Sequence, residues 1–233
     1  MYKDIKVFEK YPGVSAGCTT RDCEAKSRRA EMAAEAASRG AGLAALGIVH
    51  SARVEVLNEL SCPPGEVQWI EDRDGAISDR TGIIITATTG DCLPIFAFDP
   101  IRRAIGLAHA GWRGVLSGIP SALIKKMVSS YGCEPENIIC RIGPGIGLCC
   151  FEVSEDVAEA FFERYPWSEN YAIKIGKGKY KLDLKGISLE LLELCGVRDA
   201  TASLHCTCCE PELFYSYRRS KDDLRMLQYI ELK

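Results

Sequence analysis

The amino-acid sequence predicts an α+β protein, one domain over residues 1–233 with mixed β-sheets flanked by helices. Three observations carry this. A chain of 233 residues that is 47% apolar is long enough for one large core. Period-2 and β-branched runs recur along it, with helical stripes between them. Those runs do not follow the strict βαβα order of a doubly wound sheet. No internal repeat or low-complexity linker divides the chain.

Taken in order, residues 22–46 are rich in Ala, Arg and Glu with helical spacing, and predict a helix or helix pair broken near Gly40. Residues 53–60 alternate with period 2 and predict a strand. Pro63, Pro64 and Gly65 then signal a turn, followed by a short strand over 66–70. The run IIITATT at 83–89 is β-branched enough for a buried strand. Further strands are expected over 95–98 and 104–108. Leu116, Ile119, Leu123, Ile124 and Met127 form an apolar stripe that predicts a helix over 115–130. A strand over 137–142 leads into a Gly-rich turn. Ser154 is placed as the N-cap of a helix over 154–164. The last third predicts strands over 171–175 and 179–184, a helix over 186–195, and strands over 200–204 and 225–232.

Composition narrows the class. A net charge of −3 argues against a general nucleic-acid binder. Charges at Lys3, Asp4, Lys6, Glu9 and Lys10 leave no room for a signal-peptide core. No run approaches the roughly 18 apolar residues of a membrane span. The expectation is a cytoplasmic protein with no membrane partner, monomeric by default. The 12 cysteines are about 5% of 233 residues, below the roughly 8–10% of a disulfide scaffold. Reduced thiols that mostly serve as small buried hydrophobes are expected.

Four segments could carry chemistry. Gly90-Asp91-Cys92-Leu93-Pro94 places a thiol beside a carboxylate at a strand end; a buried Cys in a turn is the plainer reading. His109-Ala110-Gly111-Trp112-Arg113-Gly114 lies between a strand and a helix. There, small residues permit close approach, and Arg113 near a helix N-terminus could bind an anion. The glycines from Gly143 to Gly147 could form an anion nest or simply a tight turn. The adjacent Cys149 and Cys150 do not both coordinate one ion easily, so packing is preferred for at least one. Cys206-Thr207-Cys208-Cys209 contains a C-x-C but no second pair at zinc-ribbon spacing, which makes a structural zinc there the lesser reading. Phe214 to Arg219, with Arg225, could stack a base and neutralise a phosphate, or be a strand with exposed arginines.

In this order the motifs DCLP, HAGWRG, GPGIGLCCFEV, LDL and FYSYRR closely resemble the laccase-domain (YfiH-like) family, over roughly residues 53–230. Cys18-Thr19-Thr20-Arg21 is similar to a further family segment. The resemblance implies a cytoplasmic α+β protein that binds zinc through a His-Cys-His set. It implies action on purine nucleosides, by phosphorolysis of adenosine or inosine and by deamination of adenosine. Copper-dependent polyphenol oxidation and peptidoglycan-precursor editing are other roles ascribed to the family.

By this resemblance Cys92 and His109 are metal ligands, Arg21 and Arg113 lie near substrate and phosphate, and Gly143 and Cys150 belong to a shared turn motif. Arg218 joins the phosphate set, and Asp91 and Glu152 are candidate acid–base residues beside Cys92 and His109. The family's first His has no match at the end of the 53–60 strand, where Ser61 stands, and Ser is a poor zinc ligand. Three readings stay open: Cys62 completes a Cys62–Cys92–His109 set, the metal site is lost, or His50 or His205 folds in. His50 precedes that strand rather than ending it, which counts against it. A metal-free cysteine hydrolase using Cys92 and His109, a copper protein, and a non-catalytic homologue that keeps the pocket are the competing functions.

Overall fold

The computed structural model describes residues 4–233. The chain runs β1 (Asp4–Lys6), β2 (Val14–Thr19), α1 (Ala25–Ala37), β3 (Gly42–Leu46), β4 (Val54–Val56), β5 (Val67–Ile70) and β6 (Gly75–Ser78). It continues with β7 (Ile83–Thr89), β8 (Leu93–Asp99), β9 (Ala104–Ala110), α2 (Trp112–Leu116), α3 (Ile119–Tyr131) and β10 (Ile139–Ile142). The remainder is β11 (Glu152–Ser154), α4 (Glu155–Arg164), β12 (Ala172–Gly176), β13 (Lys179–Leu182), α5 (Leu184–Glu193), β14 (Asp199–Ala202), α6 (Tyr217–Ser220) and β15 (Met226–Leu232).

Two six-stranded mixed sheets organise these elements, in the orders β1-β2-β15-β7-β3-β5 and β14-β10-β8-β9-β6-β4, with a small sheet β11-β13-β12 beside them. The large sheets pack face to face. Ala44, Ile85 and Ile230 of the first meet Phe96, Ile105 and Leu107 of the second in one apolar layer. The outer face of the first sheet is covered by α1 through Met32, Ala33 and Ala36. The outer face of the second is covered by α3 and α5 through Leu123, Met127, Ile187 and Leu191. The central strands β7, β8 and β9 are therefore buried on both faces, and they are buried along nearly their whole length rather than at alternate residues. No helix among the described residues is long and apolar enough to cross a membrane.

The mixed α+β class agrees with the expectation, and β7 matches its predicted bounds. The expected helix over 22–46 is overturned in its second half. Gly40, at φ 70°, ends the helical stretch, and Gly42–Leu46 is a buried strand lying between β7 and β5. A short apolar run such as GLAAL has the composition of a buried strand and of a buried helix turn alike, and only its pairing separates them. The strand expected over 53–60 shrinks to Val54–Val56. The helix expected over 115–130 is two helices, separated at Gly118, which adopts φ 85°.

Candidate active site

The site lies where three neighbouring segments come off the two large sheets. β8 and β9 pair so that Pro94 faces His109 and Leu93 faces Ala110, which brings Cys92, just before β8, to the end of β9. β6 pairs with β9 on the other side, Gly75 facing Ala108, which brings Asp74 beside His109. The loop after β3 carries His50 over both. His50, Cys92 and His109 thereby offer ligand atoms that all lie within 4.8 Å of one another. The imidazoles meet edge to face, with ring centres 5.0 Å apart.

Asp74 organises this group. It is fully buried, and its carboxylate accepts five hydrogen bonds: from the backbone N–H groups of Val49, His50 and Ser51, from the Ser51 hydroxyl, and from His109. Those bonds hold His50 at φ 61°, a conformation a non-glycine residue adopts only under constraint. His109 Nδ1 donates to Asp74 Oδ1 at 3.0 Å, so Nε2 is the atom left for a ligand or proton. Gly111 is required by the same crowding. A Cβ there would sit 2.9 Å from His50 Cδ2 and 3.0 Å from Cys92 Sγ.

The electrostatics follow from these contacts. Burial by itself would raise the Asp74 carboxyl, but hydrogen bonds from His109 and Ser51 outweigh it and hold the group down at about 2. Burial would likewise raise the Cys92 thiol, yet hydrogen bonds with His109 and His50 bring it to about 6. Burial would lower His109, while Asp74 and Cys92 carry it up to about 9. The result is a buried thiolate between two imidazoles, one of them oriented by a carboxylate. Two imidazoles and one thiolate, with Asp74 fixing His109 and the His50 backbone, match the donor chemistry of a catalytic zinc site that keeps one position open. The residues present fit such an ion.

A cavity of about 490 Å³ opens above the group. Its apolar side includes Ile48, Trp112, Ile146 and Phe151, and its cationic side carries Arg218, Lys221 and Arg225 around Tyr217. Lys221 and Arg225 lie over the Tyr217 ring, and Arg218 lies over Phe151.

The chain matches the model of the multi-copper polyphenol oxidoreductase laccase family over residues 9–233. It belongs to that family. Among relatives of this laccase-family chain is the purine nucleoside phosphorylase LACC1 of Mus musculus, 35% identical over 155 residues, a match covering 64% of the chain and 35% of that protein. Another is the adenosine deaminase RL5 of an unknown prokaryotic organism, 33% identical over 177 residues, covering 73% of the chain and 67% of that protein. The solved structure of a Bacillus licheniformis hypothetical protein YfiH superposes with a TM-score of 0.85 at 25% identity, covering 97% of the chain and 96% of the other. The matched region spans about a third of the length of the mammalian relatives.

The laccase-family site departs from several sequence expectations. Cys62 does not join Cys92 and His109; its thiol faces the Glu66 carbonyl in the turn before β5. His50 takes that place. The strand that ends just before the ligand loop is β3, not the strand over 53–60 where the resemblance placed the family's His, and His50 is one of the residues the open readings named. His205 pairs with Glu210 at 2.7 Å instead. Glu152 is exposed and bound to Lys179 at 2.7 Å, outside the cavity.

Asp91 lines the cavity, but both its oxygens are engaged, one by the Thr207 hydroxyl at 2.7 Å and one by the Arg218 N–H at 2.6 Å. Arg21 lies over the Tyr215 ring and donates to the Pro211 carbonyl, and Arg113 stacks on Trp112 at 4.2 Å; neither lines the cavity. Gly143 is a packing position, where a Cβ would meet Pro94 at 2.8 Å. Of the arginines that the sequence associated with phosphate, Arg218 and Arg225 reach the cavity wall. Lys221 went unnoticed in the sequence, and so did Asp74, which no motif marks; its only signal is an acid just before a short strand.

Proposed function

We propose that the protein is a zinc-dependent purine nucleoside enzyme that cleaves adenosine or inosine with phosphate and deaminates adenosine in the same cavity. The observation that carries this reading is the sharing of one 490 Å³ cavity by the His50–Cys92–His109 donor set and three cationic side chains. Relatives named purine nucleoside phosphorylase and adenosine deaminase support it.

His50, Cys92 and His109 would hold the metal, which when bound supplies Lewis-acid polarisation at the cavity floor. In phosphorolysis a phosphate oxygen forms a bond to C1′ of the ribose as the C1′–N9 bond breaks. The bonding pair leaves with the purine, which then takes up a proton. Arg218, Lys221 and Arg225 hold the phosphate dianion and stabilise charge as it redistributes, without needing to reorganise. Trp112, Phe151 and Tyr217 supply apolar faces for the base, and Ile48 and Ile146 keep water from its edge. In deamination a water oxygen bonds to C6 of adenine and ammonia departs. Asp74 acts through His109 and His50 by fixing their rings, and Asp91 holds the Arg218 backbone to the cavity wall; both are positioning residues.

A second reading has its own observation. Cys92, His109 and Asp74 form a thiol–imidazole–carboxylate series in which the thiolate is favoured at neutral pH, the arrangement of a cysteine hydrolase. One experiment separates the two. Protein of measured zinc content is incubated with adenosine and with inosine, each with and without phosphate, and the products are resolved by chromatography. Phosphate-dependent release of hypoxanthine from inosine and phosphate-independent formation of inosine from adenosine are expected, both lost on zinc removal. Zinc-loaded protein inert toward both nucleosides overturns the proposal. Full activity without metal that vanishes on Cys92 alkylation moves it to the thiol reading.

A further inference from the structure

Four cysteines outside the active site converge in space from two turns far apart in sequence. Cys149 and Cys150 end the Gly-rich turn after β10, and Cys206 and Cys209 flank the turn after β14. Their four sulfurs all lie within 4.8 Å of one another. Cys209 Sγ stands 3.4 Å from Cys149 Sγ and 3.3 Å from Cys150 Sγ, well beyond the roughly 2.05 Å of a disulfide. An ion bound tetrahedrally at about 2.3 Å from each thiolate sets its sulfurs about 3.8 Å apart. From this geometry we infer a second, structural zinc site, formed by Cys149, Cys150, Cys206 and Cys209, against the sequence expectation that the adjacent Cys149 and Cys150 would not share one ion.

The surroundings suit a bound ion with four thiolates, which carries two negative charges. The Gly147 N–H donates to Cys206 Sγ at 3.3 Å. Such backbone donors to a ligating sulfur are the usual second shell. Lys185 is only 9% exposed, and among the described residues no salt bridge holds it. Its ammonium donates to the carbonyls of Ser203 and His205 at 2.7 and 2.6 Å, on the segment that leads into Cys206. A buried ammonium held by neutral carbonyls is favoured by negative charge nearby; Cys206 and Cys149 act on it in that sense, as Asp183 and Glu210 do. Arg219 donates to the carbonyls of Thr207 and Cys208 in the same turn, while Glu210 is drawn off by His205 and by the Cys206 N–H. Cys206 and Cys209 stand in a C-x-x-C pair, a spacing common in structural zinc sites. Cys208 between them packs against the apolar core and is left out of the set.

The ion would clamp one wall of the cavity. Its first turn leads directly into Phe151 and follows Ile146, both cavity residues. Its second turn bears Thr207, which holds Asp91, and Arg218 donates to the carbonyl of Cys150 at 3.0 Å. Two turns about 60 residues apart in sequence gain a covalent-strength tie beside the cationic side.

The test is independent of nucleoside turnover. Protein carrying Cys92→Ala and His109→Ala, which removes the other donor set, is purified under reducing conditions with zinc, desalted, and assayed by elemental mass spectrometry. One zinc per chain is expected to remain. Adding Cys206→Ser and Cys209→Ser should abolish it, while Cys208→Ser or Cys62→Ser should not. Should the quadruple variant fold poorly, the Cys92→Ala/His109→Ala chain gives the same answer. A mercurial reagent titrated against it should release a zinc equivalent as four thiols react, and peptide mapping should place those thiols at these four positions. No zinc in the first variant, zinc retained after the serine substitutions, or a disulfide among the four in reduced protein overturns the inference.

Discussion

At Asp74 a single carboxylate holds the ligand loop and the ligand strand together, because every donor in reach converges on it. Asp74→Asn replaces an acceptor-only group with an amide that presents N–H to those donors. A loss of about 10–100-fold in zinc affinity is expected, the usual scale for removing a partner of a ligating His, and competition with a chromophoric chelator measures it. The same carboxylate has a pH signature. Its folded value, about 2, lies below the ordinary carboxyl value of 3.8, so its stabilisation is full above the latter and is lost as pH falls toward the former. In metal-free protein, urea unfolding at pH 5 should separate wild type from Asp74→Asn, and the gap should narrow at pH 3. Cys92 makes the complementary case. With its thiol at about 6, iodoacetamide should alkylate metal-free protein readily at pH 7 and slow below pH 6, with the inflection moving up in His50→Ala. An inflection in the ordinary thiol range for wild type would contradict the assigned contacts.

At the scale of elements, the start of α2 illustrates how a motif records packing. In HAGWRG the histidine is the chemical residue, yet Gly111 is what allows His50 and Cys92 to approach it. Gly111→Ala should keep the fold, since its φ of −73° suits alanine, while pushing His50 aside. A fall in zinc affinity of about tenfold or more is expected, because a displacement near 1 Å loosens a ligand set; circular dichroism with metal titration separates this from unfolding. Element boundaries were legible where local chemistry set them. The β-branched run of β7 was so marked; Ser154 does stand at the N-cap of α4, but its side chain makes no capping hydrogen bond. The strand β3 was not so marked, since five small apolar residues carry no period of their own and become a strand only through pairing with β5 and β7.

Across the whole molecule, the cavity draws on distant segments: the loops after β3, β7 and β9, and the α6 region near the C-terminus. Its cationic side makes a distinct kinetic prediction. Arg225→Ala or Lys221→Ala should raise KM for phosphate about tenfold, the worth of one charge-assisted hydrogen bond of about 1.5 kcal/mol, with a smaller change for nucleoside. Equal effects on both substrates would remove phosphate from that wall. Cys92, His109 and Arg218 could be singled out in the sequence because their motifs are local. His50 stood only among the alternatives, because its role rests on β3 and on Asp74; Glu152 was drawn in by proximity along the chain rather than in space, and Arg21 and Arg113 by the family resemblance.

The twelve cysteines draw the line between the two kinds of information. The amino-acid sequence by itself determined that they are too few for a disulfide scaffold and that the chain is α+β, and through its motif it made Cys92 a candidate. These are matters of composition and short-range pattern. The tertiary structure alone decided that Cys62 stays in its turn while His50 completes the set. It also brought Cys149 and Cys150 against Cys206 and Cys209. A metal site is a constraint on distances of a few ångströms between side chains, and those distances are created by sheet pairing between segments tens of residues apart.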